Sequence, residues 1–317
     1  MVRRLALFAS ALLLLGVQAC TNDTASSAEE VIDHRVEIPT PPAVDVGLQF
    51  VQPEQVIPPG SEVMTCWVPD WVPDRDYFVK RFTGLQGTGG HHVVALTSAV
   101  PREAGEVFDC TDIESLAGFR PLILPDLADR DLLPDDMFVR LPADAKIVIQ
   151  SHYVNYSDRA IRVADVARFD FATDVESGTE AGYFIMNHAG VDLAPRSPGE
   201  VRMSCTSVWE QPLNFLLLFG HMHEMGTEIR IGLGRAEDDE TLYEIDRWQP
   251  EFRDLAPITF FDRADPLTVA RGDTVNVRCN YDNPTDEPIR FPSEMCTAVA
   301  YYYPALPGED RVIICDD

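Results

Sequence analysis

Strand-like patterns of apolar and polar positions dominate this chain beyond its first 45 residues. Val148, Gln150, His152 and Val154 fall on one face of an extended segment, and Ile147, Ile149, Ser151 and Tyr153 on the other. Further strand-like runs occupy 161–171, 182–186, 213–219, 227–233, 274–281 and 297–303, separated by turns bearing proline, glycine and aspartate. No long stretch carries a convincing helical period. Short strands with frequent turns are the pattern of sandwiches and barrels, so the expected fold class is all-β. The polar stretch 172–180 is the best break. It predicts two tandem antiparallel β domains, 46–175 and 176–317, and the length of 317 residues is enough for two cores. No internal sequence repeat is apparent.

The first residues have a different character. Arg3 and Arg4 precede an apolar run at 5–17, then Gln18, Ala19 and Cys20. This resembles a bacterial lipoprotein signal, with 1–19 removed and Cys20 as the lipidated N-terminus. Gln18 stands where small or aliphatic residues are usual, and a plain secretory signal is the alternative. Both readings export the protein, to the periplasm or the cell exterior, with a lipid anchor as its only contact with the membrane. Residues 20–45, rich in Thr, Ser, Ala, Glu and Pro, read as a flexible tether. Export places the remaining six cysteines, 66, 110, 205, 279, 296 and 315, in an oxidising compartment, and their even number fits disulfides. Counting alone leaves the pairing open. There is no C-x-x-C, which argues against a thioredoxin-type site.

The net charge of -27 excludes nucleic acid as a partner, because so acidic a surface repels phosphate backbones. It serves solubility and identifies no substrate.

Five of the seven histidines fall into three compact motifs: Gly89-Gly90-His91-His92, Gln150-Ser151-His152-Tyr153 and Gly220-His221-Met222-His223-Glu224-Met225-Gly226. Residues i and i+2 of a strand share a face, so His221 and His223 can present two imidazoles to one ion. Adjacent His91 and His92 point to opposite faces of a regular strand. They can serve one metal only at a strand end or a bulge, which Gly89-Gly90 permits, and His152 would complete that set from another strand. Near the C-terminus stands Glu294-Met295-Cys296. A thioether is a soft ligand that suits Cu(I) far better than zinc, so two histidines with Met295 favour copper. Zinc remains an alternative for the three-histidine set. His34 in the tether and His188 lack partner ligands. Met222 and Met225 read as packing, and Glu224 as a solvated carboxylate.

In their order — HH, Q-x-H-Y, H-x-H-x-x-G, then E-M-C before a tyrosine-rich strand — these motifs resemble the copper type II, ascorbate-dependent monooxygenases. The likeness extends from about Cys66 to Cys315. It implies two jelly-roll-like sandwiches and two coppers per chain. His91, His92 and His152 would hold an electron-transfer copper, and His221, His223 and Met295 the copper that meets dioxygen. It also implies ascorbate or a similar one-electron donor, hydroxylation of a C–H bond in a small-molecule substrate, and the disulfides Cys66–Cys110, Cys205–Cys315 and Cys279–Cys296. No catalytic residue beyond the metal ligands is implied.

The substrate pocket departs from the family. Where the peptide-hydroxylating member has an arginine, this chain has Phe219. Where that member has an asparagine and a tyrosine, it has Thr297 and Val299. A neutral or apolar substrate is therefore expected. A surface copper carrier or store would use the same ligands without turnover, and a degenerate partner-binding scaffold would not need all six.

Overall fold

The computed structural model describes residues 31–111, 118–124, 131–188, 190–235, 239–253, 255–291 and 293–316. The expected leader and Cys20 lie outside them. Among the described residues the regular structure is all strand apart from two short 3-10 turns, and no helix is long and apolar enough to cross a membrane.

Residues up to 180 build two five-stranded sheets. One runs in the order Val107–Asp109, Ser61–Trp67, Lys146–Asn155, Gly90–Ser98 and Phe119–Ile123. The other runs Thr179–Glu180, Met137–Leu141, Tyr77–Leu85, Val166–Phe171 and Gly47–Val51. Val93, Ala95, Ile147 and Ile149 from the first meet Val79, Phe82 and Phe169 from the second in a common core. The sheets approach closely at Gly84, where an added Cβ would lie 2.5 Å from Val93 Cβ. We expect Gly84→Ala to cost about 1–3 kcal/mol through this overlap, measured as a lower urea midpoint at unchanged slope.

The outer face of Lys146–Asn155 is not solvated. Val148 packs with Leu96, Phe119, Val68 and the Cys66–Cys110 disulfide. The strand is therefore buried on both sides, in keeping with the unbroken apolar run Ile147-Val148-Ile149.

Residues beyond 181 build a second pair of sheets. Leu213–His221 and Thr297–Tyr303 pair antiparallel in one, alongside Gly182–Asn187 and Val312–Asp316. The other orders Ser197–Thr206, Thr274–Asn283, Gly226–Leu233 and Glu240–Ile245. Ser197–Thr206 shows the period of two cleanly: Val201, Met203 and Cys205 are buried between exposed Glu200, Arg202, Ser204 and Thr206. Cys205–Cys315 and Cys279–Cys296 join strands of the two sheets or their margins. All three disulfides are the pairs that the family resemblance implies. The apolar core continues from the first pair of sheets into the second, and Tyr301 Oη accepts the Leu124 backbone N–H at 2.7 Å across the divide.

The structure contains a repeat that the sequence hides. The ten-residue strands Lys146–Asn155 and Thr274–Asn283 are each flanked antiparallel on both sides, and each ends in the same turn. Asn155 Nδ2 donates to the carbonyls of Ile57, Pro58 and Arg159, and its Oδ1 accepts the N–H and O–H of Ser157. Asn283 Nδ2 donates to Leu193, Ala194 and Glu287, and its Oδ1 accepts from Thr285 in the same two ways. One asparagine and one hydroxyl carry the device, too few residues to show as a repeat.

The segment expected as a tether through residue 45 is attached earlier than that. Ile32–Asp33 pairs in parallel with Ile161 and Arg162, and His34 Nδ1 donates to the Thr88 carbonyl at 2.8 Å. His34 is thus bound to the folded part instead of solvated.

Candidate metal centre

The adjacent histidines meet one another because of a bulge. Lys146–Asn155 pairs with Gly90–Ser98 so that His152 faces His92, yet the next residue, Tyr153, faces Gly90. His91 is the extra residue on its strand, and Gly89 before it has a φ of 91°. This distortion turns neighbouring side chains toward one side. The ring centroids of His91, His92 and His152 lie 4.6–5.1 Å apart, and one nitrogen from each ring falls within 4.8 Å of the others.

Hydrogen bonds prepare these rings for a metal. His152 Nε2 donates to Glu62 Oε1 at 2.8 Å, which leaves the lone pair on Nδ1. That Nδ1 is buried and has no hydrogen-bond partner. His91 Nδ1 and His92 Nδ1 stand 3.0 Å apart. Three inward nitrogens around one point, one of them orphaned, are what an imidazole-bound cation would satisfy. Burial and the neighbouring rings hold His152 down to about 4 and His92 well below the ordinary histidine range, so these two are neutral and able to donate at neutral pH.

The second set forms where Leu213–His221 ends. His221 and His223 put their rings on one side, with centroids 5.0 Å apart and Nε2 atoms 3.1 Å apart, while Met222 between them is fully buried on the other. His223 Nδ1 donates to the Ser293 carbonyl at 3.1 Å, which directs the Nε2 lone pair toward His221. Burial lowers both His221 and His223 to about 3.

Met295 is tied to this pair by a residue that sequence reasoning passed over. Glu294 is fully buried, and its Oε1 accepts the backbone N–H of His223 at 2.6 Å and of Met295 at 2.9 Å. Its Oε2 accepts the Met225 N–H at 2.9 Å. Burial pushes Glu294 up to about 7 against the pull of these three donors. The Tyr281 hydroxyl donates to the Met295 carbonyl at 2.8 Å, and Cys279–Cys296 fixes the next residue. The half-buried Met295 is thereby held beside His223. Glu294 stood inside the E-M-C motif, and the sign of its role was a carboxylate flanked by the thioether and a disulfide cysteine.

One histidine of each set, His152 and His223, lines a common cavity of about 420 Å³, together with Glu62, Met64, Tyr156, Glu224, Met225 and Arg253 among others. Glu224 is not a free solvated carboxylate, because Arg253 Nη1 donates to it. The sequence-based pocket residues fall elsewhere. Phe219 and Val299 pair across the sheet and are buried with Thr297, whose hydroxyl donates to Asn187 Oδ1; none of the three lines this cavity. His188 stays outside both sets and donates its backbone N–H to the Cys296 carbonyl.

Residues 183–312 match the family model described as copper type II ascorbate-dependent monooxygenase, C-terminal domain. This stretch is similar to the C-terminal domain of the copper type II ascorbate-dependent monooxygenases. The match indicates a copper-dependent oxidoreductase, and the matched family uses ascorbate with two coppers per chain as its norm. No match to a curated protein is found. Among solved structures, VP54 of PBCV-1, fitted into a reconstruction of the virophage Sputnik, is 9% identical with a TM-score of 0.26, over 84% of this chain and 95% of that one. A structure of infectious bursal disease virus, Gx strain, is 8% identical with a TM-score of 0.18, over 90% and 78%. Neither score carries an argument about the monooxygenase fold.

The neutral histidines give the metal-free protein a definite pH response. Their folded pKa values of about 3 to 4 lie below the unfolded value near 6.5. Below about pH 6.5 the unfolded chain takes up protons that the folded chain refuses. This contribution is complete above that pH and is lost as the pH falls toward 4. Glu294, raised to about 7, acts in the opposite sense between about pH 7 and its unfolded value, but it is one group against three. The urea midpoint of metal-free protein is expected to be lower at pH 5 than at pH 7.5; an equal or higher midpoint would contradict this.

Proposed function

We propose that this chain is an exported two-copper monooxygenase that hydroxylates a C–H bond of a small neutral or apolar substrate, with dioxygen and an ascorbate-like donor. In this reading 46–175 and 176–317 are tandem jelly-roll-like sandwiches. His91, His92 and His152 hold the electron-transfer copper, and His221, His223 and Met295 the copper that meets dioxygen. The observation that carries it is the presence of two imidazole sets of which one histidine each, His152 and His223, lines a common cavity. The three disulfides support export, and lipidation of Cys20 would supply the anchor.

Copper, when bound and reduced, supplies the one-electron chemistry toward dioxygen by which a C–H bond becomes C–OH. The chain's own residues set the conditions. Glu62 and the Ser293 carbonyl each take one ring proton, so that His152 and His223 turn the opposite nitrogen inward. Glu294 keeps the backbones of His223 and Met295 on one oxygen. Buried Met222 and the packed sheet behind His221 keep water from that side. The cation on the cavity wall, Arg253, is held by two carboxylates and is not available to a substrate carboxylate. This favours a neutral substrate over a peptide with a free C-terminus.

The test is ascorbate-dependent oxygen uptake by copper-loaded protein against a panel of neutral, cationic and carboxylate-bearing substrates. Uptake stimulated by neutral compounds supports the proposal. Two bound coppers with no substrate-dependent uptake would move the function to a copper carrier or store.

A further inference from the structure

Arg253 ends the 3-10 turn Pro250–Arg253, which is anchored by the edge-on packing of Phe252 on Trp248 and by the Trp248 N–H on the Thr227 carbonyl. Its side chain is only 9% exposed, although the two carboxylates it meets are 55% and 40% exposed. Arg253 Nη2 donates to Glu62 Oε1 at 2.6 Å, the same oxygen that takes the His152 ring proton. Nη1 donates to Glu224, the residue after His223. Glu62 belongs to the first pair of sheets, and Glu224 and Arg253 to the second half of the chain.

We propose that Arg253 is a positioning residue for both metal centres: one buried cation that carries Glu62 onto His152 and ties the first centre to the loop that follows His221 and His223. This rests on the proposed assignment of copper to the two sets. The physical reason lies in the exposure of the partners. An exposed glutamate beside a histidine spends much of its time in water, and exposed ion pairs hold little. A guanidinium fixed by packing, with two separate donor atoms on two anions, removes that freedom. Without it Glu62 is released to solvent, and the His152 tautomer is no longer enforced. The link across the cavity opens at the same step. The consequence for the monooxygenase is that first-centre affinity and the separation of the two centres are set by the same side chain.

The experiment loads full-length protein with Cu(II) and reads two quantities without turnover. Chelator competition gives the affinity of the first centre. The dipolar interaction between the two Cu(II) ions in the EPR spectrum reports how closely and uniformly they are held. Arg253→Met is expected to weaken the first centre about 10–100-fold, as loss of an outer-shell partner does, and to weaken and broaden the dipolar interaction. Arg253→Lys is expected to recover part of both. Glu224→Gln is expected to weaken the dipolar interaction while leaving first-centre affinity as in the wild type, a split that general loss of structure would not produce. If Arg253→Met does not fold, Arg253→Lys and Glu224→Gln decide. Variants that match the wild type in both quantities overturn the proposal. A wild-type chain that takes fewer than two coppers overturns the copper assignment itself, and this proposal with it; two coppers with unchanged variants overturns this proposal alone.

Discussion

His221→Ala is expected to bind one copper per chain where two are expected of the wild type, and its ascorbate-dependent hydroxylation is expected to fall to background. The reason is the economy of the second set. His221 and His223 bring their Nε2 atoms to 3.1 Å on one side of a strand end, and the proposed set has Met295 as its one further donor. Losing one of them leaves a single imidazole with a thioether, too few donors to retain copper. The loss should therefore exceed the roughly 10–100-fold that an outer-shell partner costs. The first set shares no ligand with the second, so one copper remains. Elemental analysis of dialysed protein measures the count. A variant that still holds two coppers would refute the ligand assignment.

Glu294→Ala is expected to have the largest effect on stability, about 3 kcal/mol or more. Three backbone N–H groups, of His223, Met225 and Met295, converge on this buried carboxylate. Each donor left unmade in the interior costs about 1–3 kcal/mol, less where water can replace the lost oxygen. Glu294→Gln keeps one acceptor oxygen but turns an NH₂ toward one of the donors, so it should fall between. The urea midpoint measures this. Because Oε1 serves His223 and Met295 together, the alanine variant should also lose the second copper while keeping the first. A midpoint within error of the wild type would show that the carboxylate is not the clamp described here.

The sequence revealed the parts that follow local rules. Alternation gave the strands, and the i, i+2 rule placed His221 and His223 together. The His91–His92 pair required a distorted strand, and the bulge opposite His152–Tyr153 provides it. What stayed hidden depends on distant partners. Glu62 and Arg253 are 191 residues apart, and no local pattern links them. Glu294 was visible as part of a motif, but its three donors come from two separate segments. The repeated turn at Asn155 and Asn283 rests on so few side chains that it leaves almost no trace in the sequence. Phe219 and Val299 were read as pocket residues by position in the family; strand pairing buries them in the sheet instead.

A thioether beside two imidazoles in one centre, and three imidazoles in the other, is the arrangement proposed for the two coppers. X-ray absorption at the copper edge of fully reduced, copper-loaded protein tests it most directly. The predicted result is a nitrogen shell together with a sulfur shell equivalent to one sulfur shared over the two coppers, and the loss of that sulfur shell in Met295→Ala with the first-centre copper retained. A wild-type spectrum with no sulfur scatterer, or one that Met295→Ala leaves unchanged, would contradict it.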